Sequence, residues 1–327
     1  MNTGISGVKS VQWILLIALA CGAGLPRVAK AQQVVPRTFT FVVPFAAGGP
    51  MDVLARILSA NLEQMNGQKA VVDFRLGAGG YIGAESVSRA KPDGQTLLVG
   101  SFNIMQSNLF QKDIVALSRV MTPVASLGFS PFVLLTPSGG PGKDLKSLLE
   151  QVRAQPGKFN IAVAPGTTAH LDALLFLKRA NIDMAQIPYN GVTPTITALL
   201  RNEVQLYIGT YAVPRTHVQE GRMIALAVAS PERYPVVPDV PTTRELGIPF
   251  SAGGYFAVFG PANMAPDLVN ELNKTFAAAM NNPVTRERLL NLGMQPMAET
   301  PVQLRDRLDT ETRDLAQVAV AAGIKPQ

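Results

Sequence analysis

Apolar residues along the chain alternate between two periods, and the switches between them outline a repeated strand–loop–helix unit. Residues 38–45 (TFTFVVPF) are β-branched and aromatic and stop at Pro44, which predicts a strand. Gly48-Gly49-Pro50-Met51-Asp52 follows. Pro50 suits the first position of a helix, and Asp52 suits the positive end of its dipole. Val53, Leu54, Ile57, Leu58 and Leu62 then share one helical face, and Asn66-Gly67 closes it with residues that tolerate left-handed geometry.

The unit recurs. Ala70–Phe74 predicts a second strand, Gly77-Ala78-Gly79-Gly80 a loop, Tyr81–Ala90 a helix and Thr96–Gly100 a third strand. After a poorly periodic stretch, Phe132–Thr136 predicts a strand, and residues 137–142 (PSGGPG) break the chain. Helix 145–154, strand 159–164, a helix opened by Gly166-Thr167-Thr168, strand 186–189, helix 193–202 and strands 204–208 and 224–229 follow. Residues 255–259 (YFAVF) read as a strand, and three helices end the chain at 267–281, 284–292 and 302–322. Alternating strand, glycine turn and helix implies a mostly parallel sheet with helices on its faces. The pattern divides the chain into two α/β lobes. Residues 32–130 plus 252–327 make a discontinuous first lobe, and 131–251 make the second.

The N-terminus is different. Lys9 precedes the apolar stretch Val11–Leu25, and Ala29-Lys30-Ala31 follows. A short basic region, a short apolar region and an A-x-A site predict a secretory signal peptide over 1–31, cleaved after Ala31, and a periplasmic mature chain. The apolar run is short of the ~20 residues that span a membrane. The single cysteine, Cys21, lies inside this leader, so the mature chain has no disulfide and no thiolate metal site. A lipobox at Ala18-Leu19-Ala20-Cys21 is the alternative, with Ala18 where Leu is usual.

Charge adds little. Lys9, Arg27 and Lys30 supply half of the net +6, and no three basic residues are consecutive. That excludes a strong nucleic-acid surface. The chemistry of catalysis is equally sparse. The two histidines, His170 and His217, are far apart and form no H-E-x-x-H. G-x-S-x-G is absent, and Gly142-Lys143-Asp144 fails as a phosphate loop. Gly77-Ala78-Gly79-Gly80-Tyr81-Ile82-Gly83 has G-x-G-x-x-x-G spacing and follows the second strand, so it is not a dinucleotide fingerprint. No cofactor, metal or catalytic set is expected.

What remains is two glycine-rich loops at strand ends, 46–52 and 77–83, each opening a helix. Helix N-termini carry unpaired N–H groups and partial positive charge, which suit a carboxylate. Adjacent strand ends of an open parallel sheet point to one crevice. Facing them from the second lobe is another helix start, Gly166-Thr167-Thr168-Ala169-His170. This is the logic of a two-lobed carboxylate binder.

At these residues the chain resembles the Bug-type substrate-binding receptors of the tripartite tricarboxylate transporter family. Val42-Val43-Pro44-Phe45-x-x-Gly48-Gly49-Pro50-x-Asp52 resembles the first ligand loop, and Arg75-x-Gly77-Ala78-Gly79-Gly80-x-x-Gly83-Ala84-Glu85 the second. Ala90-Lys91-Pro92-Asp93-Gly94-x-Thr96-Leu97-Leu98, Gly166-Thr167-x-x-His170-Leu171, Pro188-Tyr189-x-Gly191, residues 237–242 (VPDVPT) and Ala322-Gly323-Ile324-Lys325 recur in order. The resemblance implies a two-lobed periplasmic-binding-protein fold of type II-like form and a ligand carboxylate held largely by backbone and bridging water. It implies delivery to membrane transporter subunits and no catalysis; a monomer is expected. Three departures stand out. Met51 replaces a small hydroxyl residue, Phe74-Arg75-Leu76 replaces Asn-Arg-Pro, and Gly209-Thr210-Tyr211 stands where an Asp is frequent.

The candidate ligand contacts are Phe45, Ala46, Gly48, Gly49, Met51, Asp52, Gly77, Ala78, Gly79 and Gly80 in the first lobe, with Ser101 and Asn103 after the third strand. In the second lobe they are Thr167, Thr168, His170, Tyr189, Asn190 and Thr210. Each has a structural alternative. The glycines serve tight turns, Asp52 orients its loop, one of Thr167 and Thr168 caps a helix, His170 bonds backbone, and Asn190-Gly191 makes a turn. Met51 and Phe102 read first as core residues. With Tyr211, they otherwise make an apolar pocket wall that favours an aromatic or short aliphatic carboxylate. Ligand sensing for a signalling partner, and an enzyme acting on a phosphorylated substrate, are the other functions weighed.

Overall fold

The computed structural model describes residues 35–112, 114–189 and 191–326. The expected leader, Cys21 and Asn190 lie outside them. The first strand, β1 (Thr38–Val43), leads through a loop into α1 (Pro50–Asn66), whose N1 residue is Pro50 and whose C-cap Gly67 is left-handed at φ 65°. A β-substituted residue at that φ is strained, which is why the helix ends there. Next come β2 (Lys69–Phe74), α2 (Tyr81–Ser88), β3 (Thr96–Ser101), α3 (Phe102–Met105), α4 (Leu117–Val120) and β4 (Met121–Pro131). The chain then lays down β5 (Val133–Pro137), α5 (Leu145–Ala154), β6 (Asn160–Val163), α6 (Thr168–Ala180), β7 (Ala185–Pro188), α7 (Val192–Leu200), β8 (Leu206–Gly209), α8 (Arg215–Gln219) and β9 (Met223–Val228). It finishes with β10 (Gly253–Pro261), α9 (Pro266–Met280), α10 (Pro283–Asn291) and α11 (Pro301–Ala321).

Two five-stranded sheets result, ordered β2-β1-β3-β10-β4 and β7-β6-β8-β5-β9. The two orders are the same pattern written twice. β1 pairs in parallel with β2 and β3, as β6 does with β7 and β8. One strand in each sheet runs against the other four: β10 in the first and β5 in the second. Each reversed strand is the one on which the chain arrives from the other sheet. It enters without the helical crossover that a parallel neighbour needs. The mostly parallel α/β reading therefore describes the sheets, with this one exception in each.

The poorly periodic stretch before Phe132 holds short helices and then β4. The strand's eleven residues are buried on nearly every position, so the period-2 alternation of a half-exposed strand is missing. The passage between sheets is narrow. β4 ends at Pro131 and β5 begins at Val133, and the return runs between β9 and β10. The Phe132 N–H donates to the Ala252 carbonyl at 2.9 Å, and the Ala229 N–H donates to the Phe132 carbonyl at 2.8 Å. The outgoing and returning segments thus hold each other.

The first apolar core joins β1, α1 and β3 to β10, α9 and the start of α11. Phe39, Phe41 and Phe276 meet there, with the Phe39 and Phe276 centroids 5.4 Å apart and their rings edge to face. Asn61 Nδ2 donates to the Ala279 carbonyl at 2.7 Å and to Thr285 Oγ1 at 2.8 Å. These contacts fix the C-terminal helices onto the first sheet. α11 is shared between cores: Leu304 and Leu308 pack in the first, Leu315, Val318 and Ala319 against the second sheet's helices. No described helix is long and apolar enough to cross a membrane.

Candidate functional site

In an open sheet the crevice for a ligand lies where neighbouring parallel strands send their connections to opposite sides. β1 and β6 are those strands, each flanked by the next two parallel strands on either side. The connections after them, residues 44–49 and 164–167, are two of the loops singled out from the sequence.

Asp52 builds the first loop. Its carboxylate is buried, accepting the Gly48 N–H on Oδ2 at 2.8 Å and the Arg56 Nε–H on Oδ1 at 2.7 Å. Both oxygens are engaged, so Asp52 shapes the loop and does not face outward. The Gly49 N–H folds back on the Ala46 carbonyl at 3.4 Å. The N–H groups of the helix's first turn lack intrahelical acceptors.

The second loop winds through four consecutive left-handed residues: Gly77, Ala78, Gly79 and Gly80, at φ 126°, 45°, 63° and 94°. Ala78 carries a Cβ, so this conformation costs it roughly 1–2 kcal/mol. The Gly80 N–H closes the turn on the Gly77 carbonyl at 2.9 Å, and Gln111 Nε2 reaches the Ala78 carbonyl at 3.5 Å. The two loops meet. A Cβ on Gly80 would lie 3.1 Å from both Phe45 Cε2 and Ile104 Cδ1, and one on Gly83 would lie 2.7 Å from the Arg75 carbonyl and 2.9 Å from Pro44 Cβ. Phe45, 41% exposed, therefore lies over the second loop. Asn103 is exposed beside them, and Ser101 is buried at the start of α3.

Met51 and Phe102 are not on the loop surface. Met51 falls on the apolar face of α1 with Leu54, Ala55 and Leu58 and packs into the first core. Phe102 is fully buried and stacks on Tyr255 at 5.1 Å. Tyr211 is likewise buried, beside Tyr234 in the second lobe. None of these three side chains lines the second-lobe cavity described below.

In the second lobe, Thr167 caps α6. Its Oγ1 accepts the His170 N–H at 3.4 Å and donates to the Ala164 carbonyl at 2.7 Å. Thr168 is buried. The His170 ring turns toward the sheet, with Nε2 2.9 Å from Gln186 Oε1 on β7. Tyr189 is half-buried, and burial, with the Glu203 carboxylate second, raises its phenol above the usual range. Thr210 is exposed at the end of β8, next to Tyr207. The Tyr207 ring lies across Gly209 so closely that a Cβ there would collide with its hydroxyl.

A cavity of about 130 Å³ opens among these elements, lined by Phe132, Ala162, Ala164, Ala169, Val192, Thr195, Tyr207 and Thr210. Of the ligand contacts expected from sequence, Thr210 lines this cavity and Thr167, Thr168 and His170 do not, while Phe132, Thr195 and Tyr207 line it and were not among the expected contacts. The one local signal was the glycine at 209, which marks where a side chain folds back over the strand.

A larger cavity, about 820 Å³, lies between α6 and α11. Its walls are ionic: Arg179 pairs with Asp314 at 2.6 Å, and Arg307 pairs with Glu299 at 2.6 Å while its guanidinium sits 5.1 Å over the Tyr255 ring. Among the described residues, Asp172 and Glu311 form no ion pair in it. Burial, then repulsion from Glu311, holds Asp172 well above the usual carboxylate range. Burial pushes Glu311 up to about 7, although Gln106 donates to it at 3.4 Å. Nothing in the sequence signals this pair, because α6 and α11 are brought together only by the fold. Among the described residues no group of three or more His, Cys, Asp or Glu is placed to hold a metal ion.

The chain matches the sequence profile of the tripartite tricarboxylate transporter family receptor over residues 54–318. It belongs to that receptor family. It is 33% identical to Protein BugT of Bordetella pertussis over 308 residues, 93% of this chain and 94% of that protein. Among solved structures it is similar to MatC from Rhodopseudomonas palustris with bound malate, with a TM-score of 0.63 and 33% identity over 86% of this chain and 98% of that one. It is also similar to the periplasmic binding protein BugD, with a TM-score of 0.63 and 28% identity over 89% and 99% of the two chains. The Bug-type resemblance and the two-lobed α/β fold class that it implied are both borne out.

Proposed function

We propose that this receptor is a periplasmic protein that captures a small organic carboxylate between its lobes and hands it to membrane transporter subunits, without catalysing a reaction. The observation that carries the reading is the pairing of equivalent loops. The β1–α1 and β6–α6 connections occupy the same place in the two copies of one strand order, and each opens a helix. The first adds a second glycine-rich turn held in left-handed geometry. Such turns offer backbone N–H donors to an anion without requiring a cationic side chain. The malate bound by MatC, a relative of the same fold, supports the same ligand class. In this reading Asp52 holds the loop, the 77–80 turn and the start of α1 seat the carboxylate, and Thr210 with the Thr167–Ala169 turn meets the rest of the ligand. The lobes are 32–130 plus 252–327 and 131–251, with α11 spanning both, and the protein works as a monomer.

Calorimetry and thermal shift against a panel of mono- and dicarboxylates test the reading. Stabilisation by at least one carboxylate and none by neutral sugars is expected. Binding of a neutral sugar with no response to any carboxylate overturns it.

A further inference from the structure

The second-lobe cavity bears on which carboxylate is taken, and the argument rests on the receptor reading above. The cavity shares Ala164, Ala169 and Thr210 with the loops of the crevice, so it belongs to the same site. Most of its remaining wall is apolar or aromatic: Phe132, Ala162, Val163, Val192, Tyr207 and Ile208. Among the described residues that line it there is no Lys, Arg or His, and no carboxylate.

Its buried threonine hydroxyl is already committed. Thr195 Oγ1 donates to the Gly191 carbonyl at 2.9 Å, and Thr195 is 5% exposed. Thr210 donates to the Tyr207 hydroxyl oxygen. The His170 ring, the nearest imidazole on α6, is turned away onto Gln186. A second carboxylate placed here would lose its water and meet no cationic side chain, which is a costly setting for a buried anion. An apolar group meets the opposite balance, because each buried CH₂ gains about 0.8 kcal/mol. Size limits that group. A dry apolar cavity of roughly 150 Å³ is known to accept benzene, so about 130 Å³ suits one ring or a short branched alkyl chain and little more.

The geometry points to a monocarboxylate with a compact apolar body, of phenyl or short-alkyl size, as the ligand class of this receptor: the carboxylate on the first-lobe turns and the body in the second-lobe cavity. The dicarboxylate seen in MatC needs a polar partner at its far end. Here the strand end carries Gly209-Thr210-Tyr211, with Tyr207 folded over the glycine and Tyr211 in the core.

The experiment is calorimetry of the full mature chain with benzoate, butyrate, acetate and adipate. Benzoate or butyrate should bind at least tenfold more tightly than acetate and than adipate. The cavity-filling variant Ala169→Leu should weaken benzoate tenfold or more. Adipate binding wild type tenfold more tightly than benzoate and butyrate overturns the assignment and leaves the receptor reading intact. Failure of all four to bind, together with the wider carboxylate panel, overturns both. Should Ala169→Leu not fold, the wild type still decides. Nuclear Overhauser contacts between benzoate ring protons and the labelled methyls of Ala162 and Val192 support the assignment, and their absence at saturating benzoate overturns it.

Discussion

Phe132 and Ala252 are joined by a backbone hydrogen bond of 2.9 Å, from the N–H of the residue leaving the first sheet to the carbonyl of the residue about to re-enter it. With the Ala229 N–H on the Phe132 carbonyl, the two crossings form a short tied ribbon between the two sheets. Such a ribbon can bend by small changes at a few residues while each core stays intact, which is the form of a hinge. The expected outcome is compaction. The radius of gyration from small-angle scattering should fall when a ligand that saturates in calorimetry is added. An unchanged radius at saturation would count against closure around the ligand.

Asp52 is expected to matter through the loop. Its buried carboxylate accepts one backbone N–H and one guanidinium N–H, both charge-assisted. Asp52→Ala removes both acceptors and should cost about 2 kcal/mol of stability in urea unfolding. It should also weaken ligand binding on the order of tenfold, because the loop must then be ordered at the moment of binding. Asp52→Asn keeps one acceptor and should fall between the two. Full affinity in Asp52→Ala would show that the loop geometry does not depend on this residue.

Gly209 is expected to be intolerant of any side chain despite an ordinary strand position. A Cβ there collides with the Tyr207 hydroxyl, so Gly209→Ala must push the ring out of its place beside Thr210. Overpacking of this kind costs typically about 1–3 kcal/mol. The double variant Gly209→Ala with Tyr207→Phe removes only the hydroxyl and leaves the ring carbons Cζ and Cε2 in collision, so it should recover little of the loss. If the single variant is as stable as wild type, the ring is free to move and does not define the cavity.

Much of this architecture is legible from sequence because local rules and packing agree. Pro50 and Gly67 bracket α1 as their backbone preferences require. Pro266, Pro283 and Pro301 each open a C-terminal helix, one residue earlier than the apolar pattern alone suggests. The glycine loops stand out because left-handed geometry is needed there. The rest depends on contacts that no local pattern carries. β4 is hidden because burial on both faces erases alternation. Met51 was ambiguous because it belongs both to a loop motif and to a helix face, and the helix face prevailed. Tyr207 was invisible as a wall residue because an alternating strand says which face a side chain takes, not how it lies over its neighbour. The Asp172–Glu311 pair joins helices far apart in the chain.

That pair gives the stability a distinctive pH dependence. Glu311 on α11 faces Asp172 from α6, Gln106 from the end of α3 and Tyr255 from β10, with Arg307 and Asp314 on its own helix. Arg307 is committed to Glu299, and Arg179 to Asp314, so neither guanidinium compensates the pair fully. The Glu311 carboxyl, at about 7 in the folded protein against 4.5 ordinarily, holds its proton more tightly folded than unfolded. Its favourable contribution is therefore complete below about 4.5 and is lost as pH rises toward 7 and beyond. Asp172, raised by burial and by Glu311, acts in the same direction. Because Glu311 is only partly buried, the loss should be about 1–2 kcal/mol rather than the full equivalent of the shift. Urea unfolding of the mature chain from pH 5 to pH 8 should show stability falling across this window. Glu311→Gln should flatten the profile and be the more stable protein at pH 8. Asp172→Asn should do the same by removing the facing charge. A wild-type stability that rises steadily from pH 5 to pH 8, or a Glu311→Gln profile as steep as wild type, would place the proton-linked balance elsewhere in the molecule.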